Sequence, residues 1–188
     1  MGIRHVLGVA LLAASGQMIS SCVARTAGED PDSEEDVGEA AQALDGLFEI
    51  HPVHSGKCLD VEWASDDDGA RLIQWGCHGG DNQRFRVTEL DGGYHQITAR
   101  HSGKCLDVTG ASAADGAQII QYGCHGGPNQ QFLLIPKTEG NYTLIARNSG
   151  KCLDIAGASQ DLRAPLIQWG CHGGPNQQFN FVRITEIH

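Results

Sequence analysis

The chain has 188 residues, a formal net charge of −10, 25 glycines and aromatic side chains at only 6% of positions. That length fits one compact domain with terminal extensions, and abundant Gly with few aromatics favours an all-β fold of short strands and tight turns over long helices. The mild acidity beyond the N-terminal region offers no basic stripe to neutralise phosphates, so nucleic acid is not an expected partner.

Residues 1–21 open with Arg4 and an apolar run from Val6 to Ala14, the order of a secretory signal peptide. The run is shorter than the roughly 20 apolar residues that span a bilayer. It leads into Ile19-Ser20-Ser21-Cys22, which resembles the bacterial lipobox, and the resemblance implies that Cys22 becomes an acylated N-terminus and anchors the chain to a membrane. Plain cleavage at the same small residues, leaving Cys22 as a free thiol, is the alternative. Residues 22–46 follow as an acidic tether, with eight acids between residues 23 and 46 against Arg25. Such a stretch repels itself and extends. The expected location is the cell envelope or surface, otherwise secretion.

Residues 47–188 hold an internal repeat with a period of 47 residues. Copies beginning at His54, His101 and Asn148 align without a gap, and 19 of the 31 positions from Ser55 to Phe85 are identical in all three. A period of this size occurs in propeller blades, but those rings need roughly four to eight. Three copies call for three-fold closure. The copies carry GKCLD and, about 20 residues later, QWGCHGG or QYGCHGG followed by NQ and Phe, and these motifs resemble the ricin-type lectin family. The resemblance implies a β-trefoil with pseudo-three-fold symmetry and a carbohydrate-binding role. The family's Gln-x-Trp signature stands here as Gln83/Phe85, Gln130/Phe132 and Gln177/Phe179, which keeps a core ring and loses the indole N–H.

Six of the seven cysteines lie in the repeat. Cys58, Cys105 and Cys152 precede Cys77, Cys124 and Cys171 by 19 residues each, so three-fold symmetry favours one bridge per copy among 15 possible pairings. The ricin-type pattern implies the same pairs. Zinc is the competing use of Cys and His, but adjacent Cys77-His78 cannot readily aim both side chains at one ion. Neither a metal nor a cofactor is expected.

A sugar presents hydroxyl edges and C–H faces, so its site needs a carboxylate or amide beside an exposed ring. Each copy supplies such a set. Copy one has Asp60, Trp75, His78, Asn82 and Gln83; copy two has Asp107, Tyr122, His125, Asn129 and Gln130; copy three has Asp154, Trp169, His172, Asn176 and Gln177. By resemblance the Asp accepts hydrogen bonds from two hydroxyls, the ring forms a platform, the Asn completes the polar edge and the Gln orients the Asp. The Asp could instead cap a turn, the rings could be buried, although a Trp/Tyr interchange beside Gly and a polar loop suits a surface ring better, and the His could simply bond the neighbouring Gly-Gly backbone. Asp66-Asp67-Asp68, found only in the first copy, reads as a solvated turn rather than a cation site, and Asn141-Tyr142-Thr143 as an accidental glycosylation sequon.

Three functions compete. A carbohydrate-binding domain explains the repetition, because weak sites gain avidity on clustered sugars. A hydrolase using Asp and His as acid and base would need three identical active sites without an identifiable nucleophile, so no catalytic activity is expected. A protein-interaction trefoil gives no reason for Asp, ring and Asn to recur. An accessory binding subunit of a glycoside hydrolase or toxin is a variant of the first.

Overall fold

The structure, a computed structural model, describes residues 44–185; Cys22, the expected export signal and most of the expected tether lie outside the described residues. The described residues form twelve short strands and no long helix. Copy one contributes β1 (Gly46–Pro52), β2 (Cys58–Val61), β3 (Leu72–Trp75) and β4 (Arg84–Glu89); copy two, β5 (Tyr94–Ala99), β6 (Cys105–Val108), β7 (Ile119–Tyr122) and β8 (Phe132–Pro136); copy three, β9 (Asn141–Ala146), β10 (Cys152–Ile155), β11 (Leu166–Trp169) and β12 (Phe179–Arg183). Single 3₁₀ turns punctuate them.

Six strands close a barrel. β1 pairs antiparallel with β4, β4 with β5, β5 with β8, β8 with β9, β9 with β12, and β12 returns to β1. Closure leaves the barrel without a free edge. The other six strands form three antiparallel hairpins, β2–β3, β6–β7 and β10–β11. Bridges Arg71 to Ile120, Gln118 to Ile167 and Ile73 to Pro165 join each hairpin to the next. The result is the β-trefoil that the three-fold repeat predicts.

Strand alternation sorts each copy's residues into core and site. Successive side chains point to opposite faces, and Cys58 lies opposite Trp75, Leu59 opposite Gln74, and Asp60 opposite Ile73. Leu59, Val61 and Leu72 therefore turn to the core, where they are fully buried with Phe48, Phe85, Phe132 and Phe179. Asp60 and Trp75 share the other face. Copies two and three repeat the register residue for residue.

The bridges are Cys58–Cys77, Cys105–Cys124 and Cys152–Cys171, the pairing that the sequence implies. Closing loops of this size stabilises by about 3 kcal/mol each in the chain-entropy account. The hairpins are also locked across copies by Gln74, Gln121 and Gln168, each wholly buried. Gln121 Nε2 donates to the carbonyls of Ser65 and Asp67 in copy one, and its Oε1 accepts from Ser102 Oγ in its own copy. Gln168 and Gln74 repeat the arrangement on the loops of copies two and three. Buried amides with every bond made favour one arrangement of the three copies over others.

Candidate functional site

In each copy the hairpin supplies the Asp and the ring, and the loop after the second cysteine folds over them. That loop ends in a 3₁₀ turn, Asp81–Gln83 in copy one. It places Gln83, which is fully buried, beneath the Asp. Gln83 Nε2 donates to Asp60 Oδ2 at 2.8 Å and to the Gly76 carbonyl at 3.0 Å, while its Oε1 accepts from the His78 backbone N–H at 2.8 Å. Gln130 and Gln177 make the same bonds to Asp107 and Asp154. The Asp thus bonds the Gln side chain, and the Gln fixes its direction.

The histidine does two things. Gly80 N–H donates to His78 Nδ1 at 3.2 Å, so the ring proton resides on Nε2, which faces Asp60 Oδ2 at 3.4 Å. The corresponding Nε2 to Oδ2 distances are 3.3 Å for His125 and Asp107 and 3.1 Å for His172 and Asp154. The bond to the Gly-Gly backbone is therefore present together with a contact to the site carboxylate. The Gly lies flat under the imidazole, since a Cβ at Gly80 would come within 2.6 Å of His78 Cε1. This explains the His-Gly-Gly motif.

Asn82, Asn129 and Asn176 sit behind the Asp and are largely buried. Asn82, Asn129 and Asn176 donate through Nδ2 to the carbonyls of Val61, Val108 and Ile155, and Asn129 Nδ2 also donates to Asp107 Oδ2 at 2.8 Å. In all three copies the Gln bond and the His contact to the Asp converge on Oδ2. Tyr122 and Trp169 are 44% and 45% exposed, and Trp75 is partly exposed. Each copy therefore sets an oriented carboxylate beside a ring open to solvent. Burial raises the Asp60 carboxyl above its ordinary value, and hydrogen bonds from Gln83 and His78 offset part of that rise.

Copy one has more. Its cleft, about 280 Å³, is lined by Asp60, Ile73, Trp75, His78 and Asn82, and also by Glu62, Trp63 and Arg163. Trp63, Glu62 and Arg163 are absent from the sequence-based site. Their signal was a departure from the repeat: Glu62-Trp63 stands where copies two and three have Thr109-Gly110 and Ala156-Gly157, and Leu162-Arg163 where the others have Asp68-Gly69 and Asp115-Gly116. Asp66-Asp67-Asp68 lie in an exposed turn, as the sequence reading has it, and Asp68 also ties two copies together. Its Oδ1 accepts from Lys104 Nζ at 2.7 Å and from the Gly123 N–H at 2.9 Å, fastening copy one to copy two. Asp115 does the same with Lys151 and Gly170. His51 lies near both sulfurs of the Cys58–Cys77 bridge, which leaves neither sulfur as a thiolate ligand.

The profile of the ricin-type beta-trefoil lectin domain matches residues 46–179. The chain belongs to that family. Its fold overlays a designed three-fold symmetric protein, ThreeFoil, with a TM-score of 0.73 at 50% identity, covering 74% of this chain and 100% of that one. It also overlays 1,3Gal43A, an exo-beta-1,3-galactanase from Clostridium thermocellum, with a TM-score of 0.72 at 33% identity, covering 74% of this chain but 30% of that one. The ricin B-like lectin of Macrolepiota procera, solved with lactose, shares the fold at 19% identity with a TM-score of 0.65, covering 74% of this chain and 96% of that lectin. Among curated proteins, the clotting factor G alpha subunit of Tachypleus tridentatus is 36% identical over 69 residues, 37% of this chain and 10% of that subunit. The match thus spans about a tenth of that relative. Membership of a lectin family supports carbohydrate binding as the domain's role.

Proposed function

We propose that this ricin-type lectin domain binds glycan or polysaccharide through three shallow sites, one per copy, without catalysis, and that Cys22 holds it at the cell envelope. The observation that carries the reading is the oriented carboxylate repeated three times beside an exposed ring. With Gln, His and, in copy two, Asn gathered on Oδ2 of the Asp, Oδ1 is left to accept ligand hydroxyls. Trp75, Tyr122 and Trp169 offer the flat face against which a sugar's C–H groups pack. Repetition adds avidity on polymeric ligands. Three disulfides fit an oxidising compartment, in keeping with the export signal read from residues 1–21, and the acidic tether of residues 22–46 would hold residues 47–188 away from the membrane.

The test is a calorimetric titration of Asp60→Ala, Asp107→Ala and Asp154→Ala with a monosaccharide ligand. Each substitution is expected to remove one site and leave two. A second reading has a specific observation behind it, because the similar region makes up about a third of an exo-beta-1,3-galactanase. On that reading the domain serves as the accessory binding unit of a glycoside hydrolase or toxin. Release of reducing sugar from galactan or xylan by the purified chain alone would overturn the non-catalytic account.

A further inference from the structure

Trp63 stands at a backbone position built for glycine. Its φ is 63°, matching Gly110 at 59° and Gly157 at 62°. A bulky side chain in the left-handed region is strained, and such strain persists where the surroundings impose it, typically at functional sites. Burial gives nothing back here, since Trp63 is 79% exposed. Arg163 repeats the anomaly, with φ 68° where copies one and two have Gly69 and Gly116.

These two residues meet across the seam between copies three and one. The Arg163 guanidinium carbon lies 4.8 Å from the centre of the Trp63 ring, and Arg163 Nε donates to Glu62 Oε1 at 3.0 Å. Arg71, where the other copies have Gln118 and Pro165, donates through Nε to Glu62 Oε2 at 2.8 Å. Glu62 is buried, and although burial opposes its charge, the two arginines hold its carboxyl below the ordinary value. Four residues that break the repeat thus form one clamp, and the clamp holds an indole at the cleft that already contains Asp60 and Trp75.

The hairpin fixes the order along that cleft. Trp75 is opposite Cys58, Asp60 is opposite Ile73, and the Glu62 N–H donates to the Arg71 carbonyl one step further on. From Cys58 to Val61 the strand rises about 10 Å before the turn that carries Trp63 begins. The chain positions that carry the two rings therefore lie at opposite ends of the cleft with the carboxylate between them, farther apart than one pyranose ring.

We propose that Trp63 is a specificity-determining residue that makes the copy-one site an oligosaccharide site, one sugar packing on Trp75 over Asp60 and the next along the chain packing on Trp63. Copies two and three, with Gly at that position, hold a single sugar. The inference rests on the carbohydrate-binding reading.

Its test uses the full chain with Asp107→Ala and Asp154→Ala, so that copy one is measured alone, with and without Trp63→Gly. The glycine is the residue the other copies carry, and an unfolding midpoint that is unchanged or higher shows that the fold is intact. Titrations compare galactose with lactose and xylose with xylotriose. For the pair that binds, the oligomer is expected to bind roughly 3- to 10-fold tighter than the monomer, the worth of one further aromatic contact. Trp63→Gly should collapse that ratio towards one and leave monomer affinity unchanged, and Trp63→Phe should restore part of it. An unaltered ratio in Trp63→Gly, or an equal loss for monomer and oligomer, would overturn this inference alone. Binding of none of the four sugars by the unmutated chain would overturn the carbohydrate reading and this inference with it.

Discussion

Replacing Gln177 with Ala removes the hub of the copy-three site. Gln177 is fully buried, and its amide satisfies Asp154 Oδ2, the Gly170 carbonyl and the backbone N–H groups of His172 and Gly173. A buried polar group left without a partner costs about 1–3 kcal/mol. Asp154 retains His172 Nε2 at 3.1 Å, and water entering the truncated space meets part of the remaining demand. The expected destabilisation is therefore about 3–5 kcal/mol rather than the full total for four groups. Urea unfolding reads it as a lower midpoint at unchanged slope, and calorimetry should show the copy-three site gone. Gln177→Glu is the sharper variant, because it keeps the shape but replaces the donor with a second carboxylate oxygen 2.8 Å from Asp154 Oδ2. Two carboxylates at that distance do not both ionise readily, so this variant should weaken at neutral pH and recover on acidification. A Gln177→Ala protein within about 0.5 kcal/mol of the parent, with every site intact, would refute the role assigned to the glutamines.

Two further outcomes follow from single groups. Ionised Asp60, whose carboxyl burial raises above 3.8, accepts hydroxyl hydrogen bonds about twice as strongly as the neutral acid. In a chain with Asp107→Ala and Asp154→Ala, sugar affinity should therefore fall as pH drops, with a midpoint above 3.8. Because the raised value means that the folded state takes up this proton more readily than the unfolded chain, protonating Asp60 adds stability, and the lost binding cannot be charged to unfolding driven by this group. Affinity that stays flat down to that pH would contradict the role. Cys22→Ser should release the chain from the membrane fraction into the periplasm or medium; unchanged fractionation would end the lipid-anchor proposal.

The sequence revealed what the repeat preserves and concealed what breaks it. Leu59, Leu106 and Leu153 read as core, and the cysteine pairs as bridges, because three copies say the same thing at the same place. The Asp, ring, His, Asn and Gln of each copy were legible for the same reason, and the structure brings each set together. Trp63 and Arg163 are 100 residues apart in the chain, in different copies, and only the closure of the barrel makes them neighbours. A comparison within one copy cannot reveal a contact made between two. Gln74, Gln121 and Gln168 are identical in all copies, yet a buried amide reaching the next copy's loop leaves no local pattern that marks its role. Asp68 sits in the exposed turn that the sequence suggests, but its bonds to Lys104 and Gly123 join it to copy two and leave no local pattern.

The central claim is that these sites bind sugar through the three aspartates. A glycan array probed with the full chain, disulfides formed, beside the variant carrying Asp60→Ala, Asp107→Ala and Asp154→Ala together, tests it most directly. The account predicts that the parent retains a defined set of glycans and that the variant, shown to be folded by its unfolding transition, retains none. A folded triple variant that bound the same glycans at full strength would place the binding surface elsewhere on the trefoil.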